Sequence, residues 1–224
     1  ANISLSLDNL SDVLIENNSF FIGSVPTSTD NAINNLGLGP STLSAITTGN
    51  HNIAFGKSTL ELLTTGYENV SIGVESSKST TSAYQNTFIG YKSGHSNQTS
   101  SNNVGLGYKS LLNCTSANNV AIGSSSGNGI TTGSNNTIIG SNSNAYSAIG
   151  TNQIVLGYNT TGLADNSVTL GNSDVTAVYM AQDSGATVYC GGLNIGGTAL
   201  TSTAAELNLV DGSTAGTIVN SKAV

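Results

Sequence analysis

Between Asn35 and Gly140 the chain repeats one five-residue word: asparagine, apolar, small, apolar, glycine. It reads Asn35-Leu36-Gly37-Leu38-Gly39, Asn52-Ile53-Ala54-Phe55-Gly56 and Asn69-Val70-Ser71-Ile72-Gly73. It continues as Asn86-Thr87-Phe88-Ile89-Gly90, Asn103-Val104-Gly105-Leu106-Gly107, Asn119-Val120-Ala121-Ile122-Gly123 and Asn136-Thr137-Ile138-Ile139-Gly140. The closing glycines step by 17, 17, 17, 17, 16 and 17 residues. A fixed period of this length belongs to solenoids, in which each repeat is one coil stacked on the last.

The word itself specifies a strand and a corner. Apolar residues on either side of a small one follow the period-two alternation of a half-buried strand. This alternation assigns Leu36, Leu38, Ile53, Phe55, Val70, Ile72, Ile89, Val104, Leu106, Val120, Ile122 and Ile139 to the core. Gly39, Gly56, Gly73, Gly90, Gly107, Gly123 and Gly140 are expected at sharp corners, because glycine accepts positive φ without steric cost. Apolar residues return four and seven positions after the glycine, as Leu43 and Ile46, Leu60 and Leu63, Leu111 and Cys114. Thr-Thr-Gly closes several coils, as at Gly49, Gly66 and Gly133. One coil is therefore expected to run as strand, glycine corner, second short strand, glycine corner and return.

Stacking advances about 4.8 Å per coil. It brings Asn35, Asn52, Asn69, Asn86, Asn103, Asn119 and Asn136 into one column. Two readings stand, a ladder of side-chain amide hydrogen bonds along the stack or a residue chosen for its tolerance of corner backbone. Both make the asparagine architectural. The residues between the two apolar positions (Gly37, Ala54, Ser71, Gly105, Ala121, and Ala148 in a later word) then fall on the opposite strand face. Phe21, Phe88, Ile138 and Val155 share that slot and are too apolar for comfortable exposure, which favours a subunit interface there over a solvated face.

Charged residues make up 8% of the chain and arginine is absent; glycine, serine, threonine and asparagine carry the polarity. Helix formers are scarce outside the C-terminal end, so the class is all-β. The formal net charge is −7, and an acidic chain with five lysines is a poor phosphate binder, so no nucleic-acid partner is expected. No apolar run approaches bilayer-spanning length, so no membrane insertion is expected. Cys114 and Cys190 lie more than four coils apart along the stack, well beyond disulfide reach; Cys114 reads as a small buried hydrophobe.

The ends depart from the repeat. Ile3, Leu5 and Leu7 alternate with polar residues as in a strand, and Asn18–Gly23 reads as a first, imperfect coil; residues 1–34 form this connector. Regular coils occupy 35–140. Glycines at 150, 157 and 171 suggest shorter, tapering coils over 141–171. The remainder, 172–224, reads as a β-rich connector with strands at Val175–Met180 and Ala186–Tyr189. Thr203-Ala204-Ala205-Glu206 matches a capping box and predicts a short helix near 204–209. The strand-like Gly216–Asn220 stops abruptly, and two readings stand: the native polypeptide runs on past Val224, or the rest was removed.

Few of the motifs in the chain carry chemistry. Gly56-Lys57-Ser58 lacks the upstream glycine of a phosphate-binding loop. Gly123-Ser124-Ser125-Ser126-Gly127 spells a nucleophile elbow, but no histidine follows residue 95 to complete it. His51 and His95 have no partners at metal-ligand spacing, leaving only a three-fold axis as a metal site. The acidic residues are scattered, so no carboxylate pair stands out. No enzyme activity, cofactor or metal is expected. Tyr91, Tyr108 and Tyr158 each follow a coil glycine and could form an outer aromatic ladder facing a receptor; edge-covering side chains are the plainer reading. Lys92 and Lys109 occupy equivalent slots beside two of them, on the solvated outside.

Two stretches resemble known families. The Asn-apolar-small-apolar-Gly array, over residues 18–171, resembles the head repeats of trimeric autotransporter adhesins and related repeats in phage and large-virus fibres. Leu200-Thr201-Ser202-Thr203-Ala204-Ala205-Glu206-Leu207-Asn208-Leu209-Val210-Asp211-Gly212 is similar to a module repeated in phage tail fibres, and Leu7-Asp8-Asn9-Leu10-Ser11-Asp12-Val13 resembles their connectors. The resemblance implies a parallel homotrimer of β-roll or β-helix chains, left-handed in the adhesin heads. The coils here are longer than those of the adhesin heads, and neither the neck motif nor a heptad segment is present. The expectation is thus a parallel β-solenoid in a trimeric viral fibre, extracellular on the virion. Its partners would be two identical chains, other virion proteins at its ends and a host receptor such as a glycan. A bacterial adhesin head is the alternative. An ice-binding solenoid is disfavoured because the paired threonine rows break at Gln98-Thr99 and Thr115-Ser116.

Overall fold

The computed structural model describes residues 11–182 and 185–201. The chain divides into two units, Ala1–Ala177 and Val178–Val224. The first is a parallel β-solenoid. Strands β2 (Ser19–Ile22), β3 (Leu36–Leu38), β4 (Ile53–Phe55), β5 (Val70–Ile72), β6 (Thr87–Ile89), β7 (Val104–Leu106), β8 (Val120–Ile122), β9 (Thr137–Ile139), β10 (Gln153–Leu156) and β11 (Ser167–Leu170) stack in sequence order, all parallel. A leading strand, β1 (Val13–Glu16), folds back antiparallel on β2 and covers its edge. Asn17 and Asn18 make that turn at φ of 50° and 59°, the left-handed pair a two-residue hairpin needs.

Register follows the repeated word. Ile53 pairs with Leu36 and with Val70, and Phe55 with Leu38 and Ile72, so like residues lie on like. The corner glycines hold φ from 128° to 139°. A side chain there would also strike the next coil: a Cβ on Gly73 would lie 2.5 Å from the carbonyl oxygen of Gly90. Only glycine fits both constraints.

The interior is not where strand alternation placed it. The middle residue of each word points in. Phe21, Ala54, Ser71, Phe88, Ala121, Ile138 and Val155 are fully buried. Of the residues assigned to the core, Leu36, Ile53, Phe55, Ile89, Ile122 and Ile139 are 37–51% exposed, and Leu38, Val70, Ile72, Val104, Leu106 and Val120 are half-buried. The assignment is thus inverted, and the face of small residues is the inside of the coil rather than an interface. The reason lies across the coil, where Leu43, Ile46, Leu60, Leu63, Leu111, Cys114 and Ile130 fill the lumen from the opposite arm. Little width is left for the strand, so it turns its small residues inward.

The two walls share one volume. Six residues separate Gly37 from Leu43, Ala54 from Leu60, Gly105 from Leu111 and Phe88 from Gly94, so a small strand residue goes with an arm leucine and the large Phe88 with an arm glycine. A Cβ on Gly94 would sit 2.6 Å from the Phe88 ring, and one on Gly105 would sit 2.7 Å from it. A third solution occurs between these coils. Ser71 and Ser77 are both small and share a buried hydrogen bond of 2.7 Å, with buried Thr80 beside them in sequence order. This polar layer separates two apolar clusters, one from Phe21 to Leu63 and the other from Phe88 to Val155. Ser71→Ala alone strands the other hydroxyl and is expected to cost about 1–2 kcal/mol, whereas Ser71→Ala with Ser77→Ala should be near neutral. Urea melts of the three proteins check this.

The arm opposite the strand is not a second strand. Residues two and four places after the glycine take left-handed backbone, as at Ser58 (φ 56°) and Leu60 (φ 49°), or Lys109 (φ 54°) and Leu111 (φ 50°). Alternating hands aim successive amides up and down the stack. Ser58 donates to the Pro40 carbonyl of the coil before at 2.8 Å, and Leu60 donates to the Ser76 carbonyl of the coil after at 3.2 Å. The arm is laddered like a sheet but bends faster than extended backbone allows.

Tapering is confined to the last step. Ala148-Ile149-Gly150 forms no strand; the Ala148 carbonyl accepts from Thr131 and Gly133, which makes this segment the closing corner of a full-length coil. Asn152 and Asn166 bond across 14 residues, so only the coil ending at Gly171 is short. Val175–Met180 and Ala186–Tyr189 are not strands among the described residues. The second unit holds instead a hairpin of β12 (Leu193–Ile195) and β13 (Thr198–Leu200), turned at Gly196 and Gly197 with φ of 59° and 87°. No helix occurs among the described residues. The strand expected at 3–7 and the helix expected near 204–209 lie outside them.

Candidate functional site

The strand face that carries the inverted residues is the most unusual surface of the solenoid. Two apolar rows run along it. One holds Leu36, Ile53, Val70, Val104, Val120 and Ile154, interrupted by Thr87 and Thr137. The other holds Leu38, Phe55, Ile72, Ile89, Leu106, Ile122, Ile139 and Leu156 without a break. At one coil per strand spacing the strip is about 40 Å long.

Tyrosines flank the strip on both corners. Tyr91 and Tyr108 follow their corner glycines, with rings 5.5 Å apart and 12° from parallel. Tyr67 and Tyr84, two residues before the column asparagines, stack at 4.9 Å and 3°. The second pair was not singled out from the sequence, although its 17-residue separation is a visible signal. Tyr158 is 67% exposed. The Lys92 Nζ lies 5.4 Å from the centre of the Tyr91 ring and the Lys109 Nζ lies 5.0 Å from that of Tyr108.

The asparagine column is a continuous ladder. Asn52 donates its backbone amide and its Nδ2 to Asn35 Oδ1, both at 3.0 Å. The same double contact links Asn69 to Asn52 and Asn86 to Asn69 at 3.0–3.1 Å. It continues through Asn103, Asn119 and Asn136. Six of the seven also send Nδ2 to the carbonyl 14 residues on, at the closing corner, as Asn69 does to Ala83 at 2.9 Å; Asn103 reaches the Ser101 carbonyl instead. The hydrogen-bond reading of the column therefore holds. Gln153 continues it, donating its backbone amide to Asn136 Oδ1 at 3.1 Å. An asparagine on the ladder has no free lone pair or proton for chemistry.

Ionisable groups form small outer pairs. Glu75 meets Lys92 at 3.2 Å and His95 at 3.7 Å, and Lys78 meets Glu61 at 3.5 Å. The hydrogen bond from Lys92 holds the Glu75 carboxyl below its usual range and lifts the lysine above its own. Partial burial lowers His95. His51 Nε2 lies 3.1 Å from the Asn34 amide nitrogen. Burial raises the Cys114 thiol, and both cysteines are unpaired. Among the described residues no three His, Cys, Asp or Glu side chains gather as metal ligands, and no helix is long and apolar enough to cross a membrane. A hollow of about 490 Å³ opens beside the last coil, lined by Asn159, Thr161, Leu163, Thr169 and residues 171–174.

The class defined by this geometry is a parallel β-solenoid repeat protein with an internal asparagine ladder and an apolar outer strip. No family model, curated protein or solved structure matches the chain.

Proposed function

We propose that this chain is a structural segment of a trimeric attachment fibre on a virus particle. The reading rests on one observation: a solenoid with a satisfied interior carries two unbroken or nearly unbroken apolar rows on its outside. Leu36, Ile53, Phe55, Ile89, Ile122 and Ile139 repeat there at every coil without helping to fill the lumen. Three chains set in parallel register would bury these rows against one another, since every coil presents the same side chains at the same height. The corner tyrosines and lysines would stay on the rim, facing outward to a host receptor. Function in this reading is mechanical: a stiff stack displays many weak binding sites, and avidity sums them. The resemblance of the repeat to fibre and adhesin-head repeats supports the same assignment.

The assembly half of the proposal has a direct test. Phe55→Glu with Ile72→Glu places carboxylates on two adjacent rungs of the unbroken row without touching the interior. The native protein is expected to sediment as a trimer and the variant as a monomer, with unchanged circular dichroism. A native chain that sediments as a monomer at micromolar concentration sinks the fibre reading.

A further inference from the structure

The charges of this acidic chain are segregated along the solenoid. Between Glu75 and Asp165 the sequence contains no aspartate or glutamate, while Lys78, Lys92 and Lys109 lie in the same span. Lys78 and Lys92 are matched by Glu61 and Glu75. Lys109 sits one coil beyond Lys92 in the same column and has no carboxylate within ion-pair distance among the described residues. Glu75, two coils away in that column, is about 10 Å distant, near the screening length of physiological salt. Lys109 is thus an uncompensated cation. It stands beside Tyr108, which is 47% exposed and stacks on Tyr91 on one side only. The next coil brings Ser124 to the tyrosine slot, so no third ring continues the stack.

We propose that Tyr108 and Lys109, with Tyr91 and Lys92 alongside, bind an acidic saccharide, a sugar ring packing on the tyrosine and its carboxylate pairing with Lys109. An exposed aromatic ring beside an ammonium that no carboxylate pairs, and that lies 5.0 Å from the ring centre, offers an apolar face and a positive charge to match the ring and carboxylate of a uronic-acid type sugar. Two lysines on an otherwise acidic molecule are too few for a nucleic acid, whose affinity grows with the number of phosphates neutralised. The proposal rests on the attachment reading above and names the receptor chemistry for it.

The test uses oligogalacturonate as probe, maltohexaose as its neutral counterpart and polyglutamate as an acid without sugar rings. The chain has eight tyrosines and no tryptophan, so tyrosine fluorescence reports on the site. Oligogalacturonate is expected to change the emission saturably, while maltohexaose and polyglutamate do not. Tyr108→Ser and Lys109→Ser should each weaken binding about tenfold or more, the loss of one good contact. Both variants install residues that equivalent slots already hold, Ser124 and Ser125, the latter at φ 56° against 54° for Lys109. Lys57→Ser, in the same corner column but three coils before Tyr108, should leave binding unchanged. No binding of oligogalacturonate, equal binding of polyglutamate, or binding indifferent to the Tyr108 and Lys109 changes overturns the proposal. Sedimentation of the same samples separates the two ideas: a trimer that ignores the sugar loses only the ligand, and a monomer that binds it loses only the fibre.

Discussion

Phe88→Ala is expected to destabilise the solenoid by about 3–5 kcal/mol, the range for emptying a fully buried aromatic site. Phe88 is 0% exposed. Its ring fills its own coil against Gly94 and reaches the space beside Gly105, so neither neighbour has a side chain to relax into the gap. The cost should be repaired from the other wall. Phe88→Gly with Gly94→Leu recreates the arrangement of Gly105 and Leu111, in which the strand is bare and the arm carries the bulk. Gly94 has φ of 59°, close to the 50° of Leu111, so leucine there would take a left-handed backbone that Leu111 already holds, at a cost of about 1 kcal/mol. The double variant is expected to recover most of the stability that Phe88→Ala loses, read as the urea midpoint. A double variant no more stable than the single one would mean that the two walls do not share a volume.

Asn69→Leu is expected to cost about 3–5 kcal/mol, a sum over several buried polar groups left without partners. Asn69 is 1% exposed. Its Nδ2 serves Asn52 Oδ1 and the Ala83 carbonyl, and its Oδ1 accepts from the backbone and the side chain of Asn86. Leucine has nearly the same size but meets none of these needs. The ladder also polarises along its length, so loss at one rung weakens its neighbours. Hydrogen exchange checks this: the Asn86 amide should lose protection in the variant far more than amides in the coil of Asn136. Unchanged exchange at Asn86 would mean that the column is decorative.

Much of the architecture was legible in the word that recurs from Asn35 to Gly140. Its period sets the coil, its glycines set the corners, and its asparagines fall into register because equal spacing stacks equal residues. The apolar residues four and seven places after the glycine were also recognisable as a second wall. The candidate site was less legible. Tyr91 and Tyr108 could be placed on the outside, but their stacking and the isolation of Lys109 depend on which coil lies next to which.

The sequence by itself determined the parallel stack and the positive-φ corners that its glycines turn. It did not determine which strand face is inside. An alternation of period two names two faces and is symmetric between them, so Leu36 and Gly37 are equally good candidates for the lumen. Tertiary structure broke that symmetry, because the lumen has a finite width and Leu43, Leu60 and Leu111 occupy it first from the opposite arm. In those coils the larger strand residues were left outside, and that displacement created much of the apolar strip on which the proposed assembly depends.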